Sequence, residues 1–176
     1  MDVWEAITKR RSIRAFKAQE VTDALLLKLV EAGRWAPSGS NIQPLHFVLI
    51  RAPGQIKKIQ AFAPGMSGGP PAVIAICADL ALAERRGGKL GREVMCLMDA
   101  AMAAQNIALA AVEMELGTCV IRSFNPQAVQ SILKLPQEIV PQLLVTVGYP
   151  TKIPTAPKRK DLEKITSWEE YLKAGD

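Results

Sequence analysis

The sequence predicts one α/β or α+β domain built on a single central sheet, and three observations carry that expectation. Four short runs, at residues 45–50, 72–78, 118–123 and 141–148, are bounded by turn residues and are too short and too apolar for an open, solvated sheet. Helix-period segments separate them, which places helices against the sheet. One stretch, residues 94–116, is apolar on nearly every face, so it belongs at the centre of the domain or in a subunit interface. So few strands beside such a helix predict a homodimer. The 176 residues suit one domain, 1–176. A chain of that length buries on the order of 70% of its unfolded surface and needs no metal or disulfide staple.

Each element follows from local chemistry. Asp2 and Glu5 form a capping-box-like pair that starts a helix running to about Lys9. Thr22 is a good N-cap for a second helix, whose stripe is Leu25, Leu26, Leu29, Val30 and Ala32, with Gly33 as its stop. Residues 36–44 are a loop dense in turn residues, amides and hydroxyls. Residues 55–63 read as a short helix, 65–71 as a flexible glycine-rich joint, and 80–91 as a charged helix breaking at Gly87 and Gly88. Gly117 ends the long apolar helix. Asn125 and Pro126 are N-cap and N1 signals for a helix to about Leu135. The tail carries Lys158, Arg159 and Lys160, then an amphipathic piece over residues 162–172.

Composition removes several chemistries. With 49% hydrophobic and 22% charged residues, the chain is neither disordered nor collagenous. Cys77, Cys96 and Cys119 lack the short pair spacing of a zinc site, and only His46 could serve a His-dependent triad, so no metal is expected. An odd cysteine count without a secretory segment points to reduced thiols in the cytoplasm. Residues 94–116 are long enough to span a bilayer. They are rich in Ala, however, and carry Asp99, Gln105 and Asn106 near their middle. One central Asp costs roughly 2.5–3.5 kcal/mol to insert, so no membrane span is expected. The net charge of +5 fits either an ordinary basic surface or an anionic partner.

Three clusters could carry function. Arg10, Arg11, Ser12 and Arg14 put three guanidinium groups beside a hydroxyl at a helix-to-loop junction, a donor set suited to phosphate or to planar carbonyls. Charge alone equally fits a solvated turn. The loop with Pro37, Ser38, Gly39, Ser40, Asn41 and Gln43 offers donors and acceptors on a kinked backbone, as ordinary surface loops do. Lys158, Arg159 and Lys160 are either a solvated tail or an addition to an anion site with Arg10 and Arg14. Neither G-x-x-x-x-G-K-[ST] nor G-x-G-x-x-G is present, which argues against a Rossmann nucleotide site.

In order along the chain, these pieces resemble a known family. RRSIRAF at residues 10–16 and APSGSNIQPLHF at 36–47 are similar to the two N-terminal signatures of the nitroreductase family of FMN-dependent oxidoreductases. DAA at 99–101 with QNIALAA at 105–111 resembles that family's central helix, and LGTCVIRSF at 116–124 its flavin-side strand. GYP at 148–150 and PKRK at 157–160 resemble its closing motif. Each piece is loose alone; five in order over nearly the whole chain are specific.

The resemblance implies an α+β sandwich with a mixed or antiparallel central sheet flanked by helices, in an intertwined homodimer with two FMN molecules in the interface. It implies that the last segment crosses to the partner's sheet and that the 94–116 helix packs on its symmetry mate. Arg10 and Ser12 would bind the FMN phosphate and ribityl region, with Arg11 partly through its backbone. Arg14 would reach the polar edge of the ring near N1 and O2 and stabilise the reduced flavin. Pro37, Ser38 and Gly39 would come from the other subunit, with Asn41 bonding in the site and Gln43 in support. Ile121, Arg122 and Ser123 would face flavin N5 through backbone. One of Lys158, Arg159 and Lys160 would finish the phosphate site.

The implied reaction is ping-pong: NADH or NADPH gives a hydride to flavin N5, and an oxidised acceptor then takes its place. That acceptor would be a nitroaromatic, quinone, enone or flavin. No side chain is assigned a catalytic step. Departures from the family pattern are also visible. Leu45 stands where Trp is usual, with Trp35 a candidate replacement, and His46 is expected half-buried on a strand. Arg122 would either line the pocket mouth, favouring an anionic acceptor or an NADPH phosphate, or form a surface ion pair. No Asn marks residues 61–71, where some members supply a flavin contact, and residues 80–93 are too brief for a large lid. The alternative function is an FMN-binding module without significant turnover, a carrier or sensor. A nucleic-acid binder is disfavoured by few aromatics and no binding motif.

Overall fold

The computed structural model describes residues 1–171. Six α-helices surround one four-stranded sheet: α1 (Val3–Lys9), α2 (Asp23–Arg34), α3 (Pro53–Gln60), α4 (Leu80–Leu90), α5 (Cys96–Glu113) and α6 (Pro126–Ile132), with β1 (Leu45–Ile50), β2 (Ala72–Asp79), β3 (Gly117–Ile121) and β4 (Ile139–Gly148). The strand order is β1-β2-β4-β3 and every pairing is antiparallel, which makes the fold α+β.

The caps read from sequence are in place. Asp2 accepts from the Glu5 N–H, Thr22 from Leu25 and Asn125 from Ala128. Gly33 does not stop α2. The helix continues through Arg34, and Gly33 is buried where a β-carbon would meet the Ile107 side chain at 3.0 Å, so its small size lets α2 lie close on α5. The long apolar helix begins later than expected. A π-helical turn, Gly91–Met95, precedes Cys96, and the chain is kinked at Gly88, with φ of 61°, where a break was expected.

The two sheet faces build two cores. On one face, Leu26 and Leu29 of α2 and Ala100, Ala103, Ala104, Ile107 and Ala111 of α5 pack on Ile74, Ile76, Val145 and Val147. On the other, Ile56 and Ile59 of α3 and Val129 of α6 pack on Val73, Ala75, Cys119, Ile121 and Leu144. The alanines of α5 bring its backbone near the sheet, the packing of a core helix. Two apolar patches stay exposed: Leu90 at the end of α4, Val94, and Leu97 and Met98 at the start of α5 (38–61%), and Val3, Trp4 and Ile7 of α1 (44–73%), which lies by the other end of α5.

Several local expectations are corrected. His46 is on β1 but exposed rather than half-buried: it shares a face with Val48 and Ile50, but stands at the start of an edge strand, before the part that the second core covers. Trp35 does not fill the place left by Leu45. It is 74% exposed, donates its indole N–H to Glu31 Oε1 at 2.8 Å and lies under the Arg34 guanidinium. The tail after Pro150 is exposed along its described length, and instead of the amphipathic segment it holds a single 3-10 turn, Leu162–Lys164, among irregular chain. The expected end of that segment, Leu172, lies outside the described residues.

Candidate functional site

The Arg10–Arg14 stretch leaves α1 and runs along the edge of the sheet. Ser12 forms a parallel bridge with Thr118, and the Ile13 N–H donates to the Thr118 carbonyl at 2.8 Å. Farther on, Phe16 bridges Pro150, Lys17 N–H donates to Tyr149 O and Thr151 N–H to Ala15 O. The segment is thus clamped between the start of β3 and the exit of β4. Ile13 is 4% exposed and points into the core; in extended chain its neighbours Ser12 and Arg14 then face the other way.

The three arginines part company. Arg14 is exposed and Arg10 half-buried, and neither guanidinium has a hydrogen bond or ion pair among the described residues. The Arg11 guanidinium folds back and donates to the carbonyls of Thr8 (2.7 Å) and Arg10 (2.8 Å), closing the end of α1. Its side chain is committed to the helix, which leaves its backbone for a ligand.

Two further segments meet this one. A β-carbon on Gly68, whose φ is 77°, would overlap the Arg14 carbonyl oxygen, so the 65–69 turn lies directly on the arginine's backbone. Gly65 presses on the Ser123 hydroxyl, and its N–H donates to Ser123 O at 3.5 Å. Residues 12–15, 65–69 and 121–123 therefore converge. Ile121 is 3% exposed, with its side chain in the core and against Gly65, so it is through its backbone that it can meet a ligand. Ser123 is exposed. The Arg122 guanidinium is 5.6 Å from the centroid of the Phe124 ring and makes no ion pair among the described residues, which removes the surface ion pair as its role. The sequence marks residues 65–71 as a glycine-rich joint without the Asn contact and names no site residue there; in the structure its Gly68 and Gly69 both have positive φ.

The 37–43 loop is built differently. Ser40, Asn41 and Gln43 all have positive φ, of 49°, 53° and 55°. Gln43 N–H donates to Ser38 Oγ at 3.0 Å, and the Gln43 amide donates to Asn41 Oδ1 at 3.1 Å. Pro37 is exposed, as are Asn41 and Gln43. The Gly39 N–H donates to Asp99 Oδ1 at 3.1 Å. Asp99 is 3% exposed, and burial raises its affinity for a proton.

One protomer does not bring this loop to the arginines. Gly39 is tied to Asp99 near the start of α5, and Ser12 to Thr118 just past its end. At 1.5 Å per residue, Asp99 and the end of α5 at Glu113 are about 21 Å apart along the helix, and Thr118 lies beyond that end. Lys158, Arg159 and Lys160 are exposed on the tail and make no side-chain bond among the described residues. A cavity of about 790 Å³ opens near the end of α5, lined by Arg11, Lys17, Leu116, Tyr149 and Ile153 among others; Arg10, Ser12 and Arg14 lie outside it.

Comparisons with known proteins identify the family and the fold. The nitroreductase family model matches residues 7–67 and 61–149. The chain belongs to the nitroreductase family. Relatives across the family include a protein of Thermus thermophilus named NADH dehydrogenase, 28% identical over 96% of both chains. Another is an FMN reductase (NADPH) of Bacillus subtilis, 29% identical over 88% of this chain and 70% of that one. A crystal structure of a nitroreductase family protein from Clostridium difficile superposes with a TM-score of 0.85 at 27% identity, covering 97% of this chain and all of that one.

The donors at the convergence fit the flavin that this family uses. Arg10 and Arg14 are cations without partners among the described residues, as a phosphate and an electron-rich ring edge require. The N–H groups of Gly68 and Gly69 have no acceptor among the described residues, and open space surrounds Gly69.

Proposed function

We propose that this chain, as one domain over residues 1–176, is an FMN-dependent oxidoreductase that draws electrons from NADH or NADPH and passes them to a small oxidised molecule. The observation that carries this is the meeting of residues 12–15, 65–69 and 121–123, in a chain of nitroreductase fold whose Arg10 and Arg14, on the same segment, have no side-chain partner among the described residues. When bound, FMN supplies the centre that accepts and returns the hydride.

The chain's own residues bind and orient. Arg10 and Ser12 hold the phosphate and ribityl region, joined by one of Lys158, Arg159 and Lys160. Arg14 faces the polar edge of the ring, where its charge favours the reduced state. Backbone at Ile121, Arg122 and Ser123 and the free N–H groups of Gly68 and Gly69 line the remaining edge. Arg122, stacked on Phe124 with its charge unpaired, stands at the mouth and attracts an anionic acceptor or the NADPH phosphate.

The separation of the two clusters along α5 calls for a second copy. In a homodimer, Pro37, Ser38, Gly39 and Asn41 of one protomer, with Gln43 in support, flank the ring held by the other. The exposed apolar patches on α1 and at the start of α5, with the exposed tail, supply apolar interface and an arm to cross it. The nicotinamide donor and the acceptor then use one open face in turn, a ping-pong scheme, with nitroaromatics, quinones, enones or free flavins as acceptors. A cytoplasmic location, where thiols stay reduced and NAD(P)H is made, belongs to this reading.

The test is an anaerobic absorbance spectrum of the FMN-saturated protein before and after NADH, then NADPH. Bleaching of the visible flavin band identifies a reductase and its donor. A bound flavin that neither nucleotide bleaches would replace this reading with that of a carrier or sensor. A protein that never retains FMN would sink both.

A further inference from the structure

The 37–43 loop has a shape of its own but few ties to the body of the protein. Its shape comes from internal bonds: Asn41 N–H to Ser38 O, Ile42 N–H to Gly39 O, and the two bonds from Gln43 to Ser38 and Asn41. Those bonds hold three non-glycine residues at positive φ, a conformation that L-residues resist. None of them fixes where the loop stands. Ile42 is buried against Gly87, an apolar contact with little directional preference, and Pro44 O accepts from Asp79 N–H only at the loop's exit.

At its entry, the loop is held by one side chain. Asp99 Oδ1 accepts the Gly39 N–H across 60 positions of sequence. One turn earlier on the same helical face, Met95 covers Gly39 so closely that a β-carbon there would overlap its terminal methyl. Met95 ends the π-helical turn, so the start of α5 is shaped where it meets the loop. Asp99 makes no ion pair among the described residues, and its near neighbours on α5 are Ala100, Ala103 and Cys96. A buried carboxyl with one backbone partner is a liability for stability on such a face, where an apolar side chain would pack without desolvation cost. What it gains is direction: a hydrogen bond fixes the orientation of the Gly39 peptide, which an apolar contact does not.

We infer that Asp99 is a positioning residue, which with Met95 sets the 37–43 loop at the place and angle it needs to flank the flavin held by a second copy of the chain. The inference rests on the proposed function for the flavin, and on Asp99 and Gly39 alone for the tether.

The experiment compares the wild type with Asp99→Asn, which keeps the Oδ1 acceptor, and Asp99→Ala, which removes it. Two quantities are read: amide hydrogen exchange of residues 37–43 relative to the sheet, without flavin, and the dissociation constant for FMN. In Asp99→Ala the loop is expected to lose protection while β2 and β4 keep theirs, and FMN to bind about tenfold more weakly. Asp99→Asn is expected to keep loop protection and to bind FMN within about threefold of wild type. Unchanged loop exchange in Asp99→Ala overturns the tether. Equal loss in both variants overturns the role of the acceptor. A loosened loop with unaltered FMN affinity overturns the positioning role. If the wild type binds no FMN, the flavin reading fails, and loop exchange alone decides the tether.

Discussion

Gly68 lies so tightly on the backbone of Arg14 that a β-carbon there would overlap the arginine's carbonyl oxygen. The glycine turn and the arginine segment are therefore one unit, and Gly68→Ala must push Arg14 aside. The substitution also forces an L-residue to φ of 77°, itself worth about 1–2 kcal/mol. Gly69→Ala carries a similar backbone cost at φ of 54° but meets open space. Gly68→Ala is expected to lose FMN affinity by at least about tenfold and Gly69→Ala to keep it within about threefold, while both lower the melting temperature. Titration of FMN into each variant checks this, and equal affinities would show that the contact does not position Arg14.

The parts of the fold legible in the sequence are those decided locally. The caps at Asp2, Thr22 and Asn125 form within three residues of their partners, so composition and spacing suffice to find them. The strands show because each is a short apolar run between turn residues. What could not be read depends on distant neighbours. Gly33 looks like a helix stop until Ile107 of α5 is seen beside it. Asp99 reads as a polar break in an apolar helix, and its partner Gly39 is 60 positions away. The all-antiparallel order β1-β2-β4-β3 is likewise invisible to periodicity. At the site, Arg10, Ser12 and Arg14 were legible as an electropositive cluster; the division of labour that turns Arg11 back onto α1 was not.

Arg14 is exposed and has no side-chain partner among the described residues, so its removal leaves no buried group there unsatisfied. Arg14→Ala is expected to leave the melting temperature of the flavin-free protein nearly unchanged and to weaken FMN binding by about tenfold or more, the worth of one hydrogen bond to a charged group. Arg14→Lys keeps the charge without the planar fork and should fall between. Fluorescence titration of FMN measures all three. Wild-type affinity in Arg14→Ala would remove Arg14 from the site.

Met98 is 57% exposed in the apolar patch at the start of α5, beside Leu97 and in line with Val94. Glutamate is a good helix former, so Met98→Glu should leave the protomer folded while setting a charge in the proposed interface. Two symmetry-related carboxylates would face each other across a two-fold axis. The variant is expected to sediment as a monomer and to lose FMN with its dimer, since the 37–43 loop could no longer reach a second protomer's arginines. A dimeric Met98→Glu that retains FMN would place the interface elsewhere.

Asp99 also sets a pH dependence whose sign follows from its burial. Desolvation raises its proton affinity above that of an ordinary carboxyl, and the hydrogen bond from Gly39 opposes this only in part. The folded state therefore binds this proton more tightly than the unfolded state. Its contribution is fully present below the ordinary carboxylate value of about 3.9 and is lost as pH rises through the higher value in the folded protein. Asp99→Asn has no such proton. The stability of Asp99→Asn relative to wild type should therefore increase with pH from about 4 upward and level off once the folded carboxyl has ionised. Urea unfolding of both proteins across that range measures the difference at each pH. A flat difference would mean that the carboxyl titrates alike in both states. A falling one would mean that it is ionised and held as an anion in the fold, so that the Gly39 N–H outweighs the cost of burial.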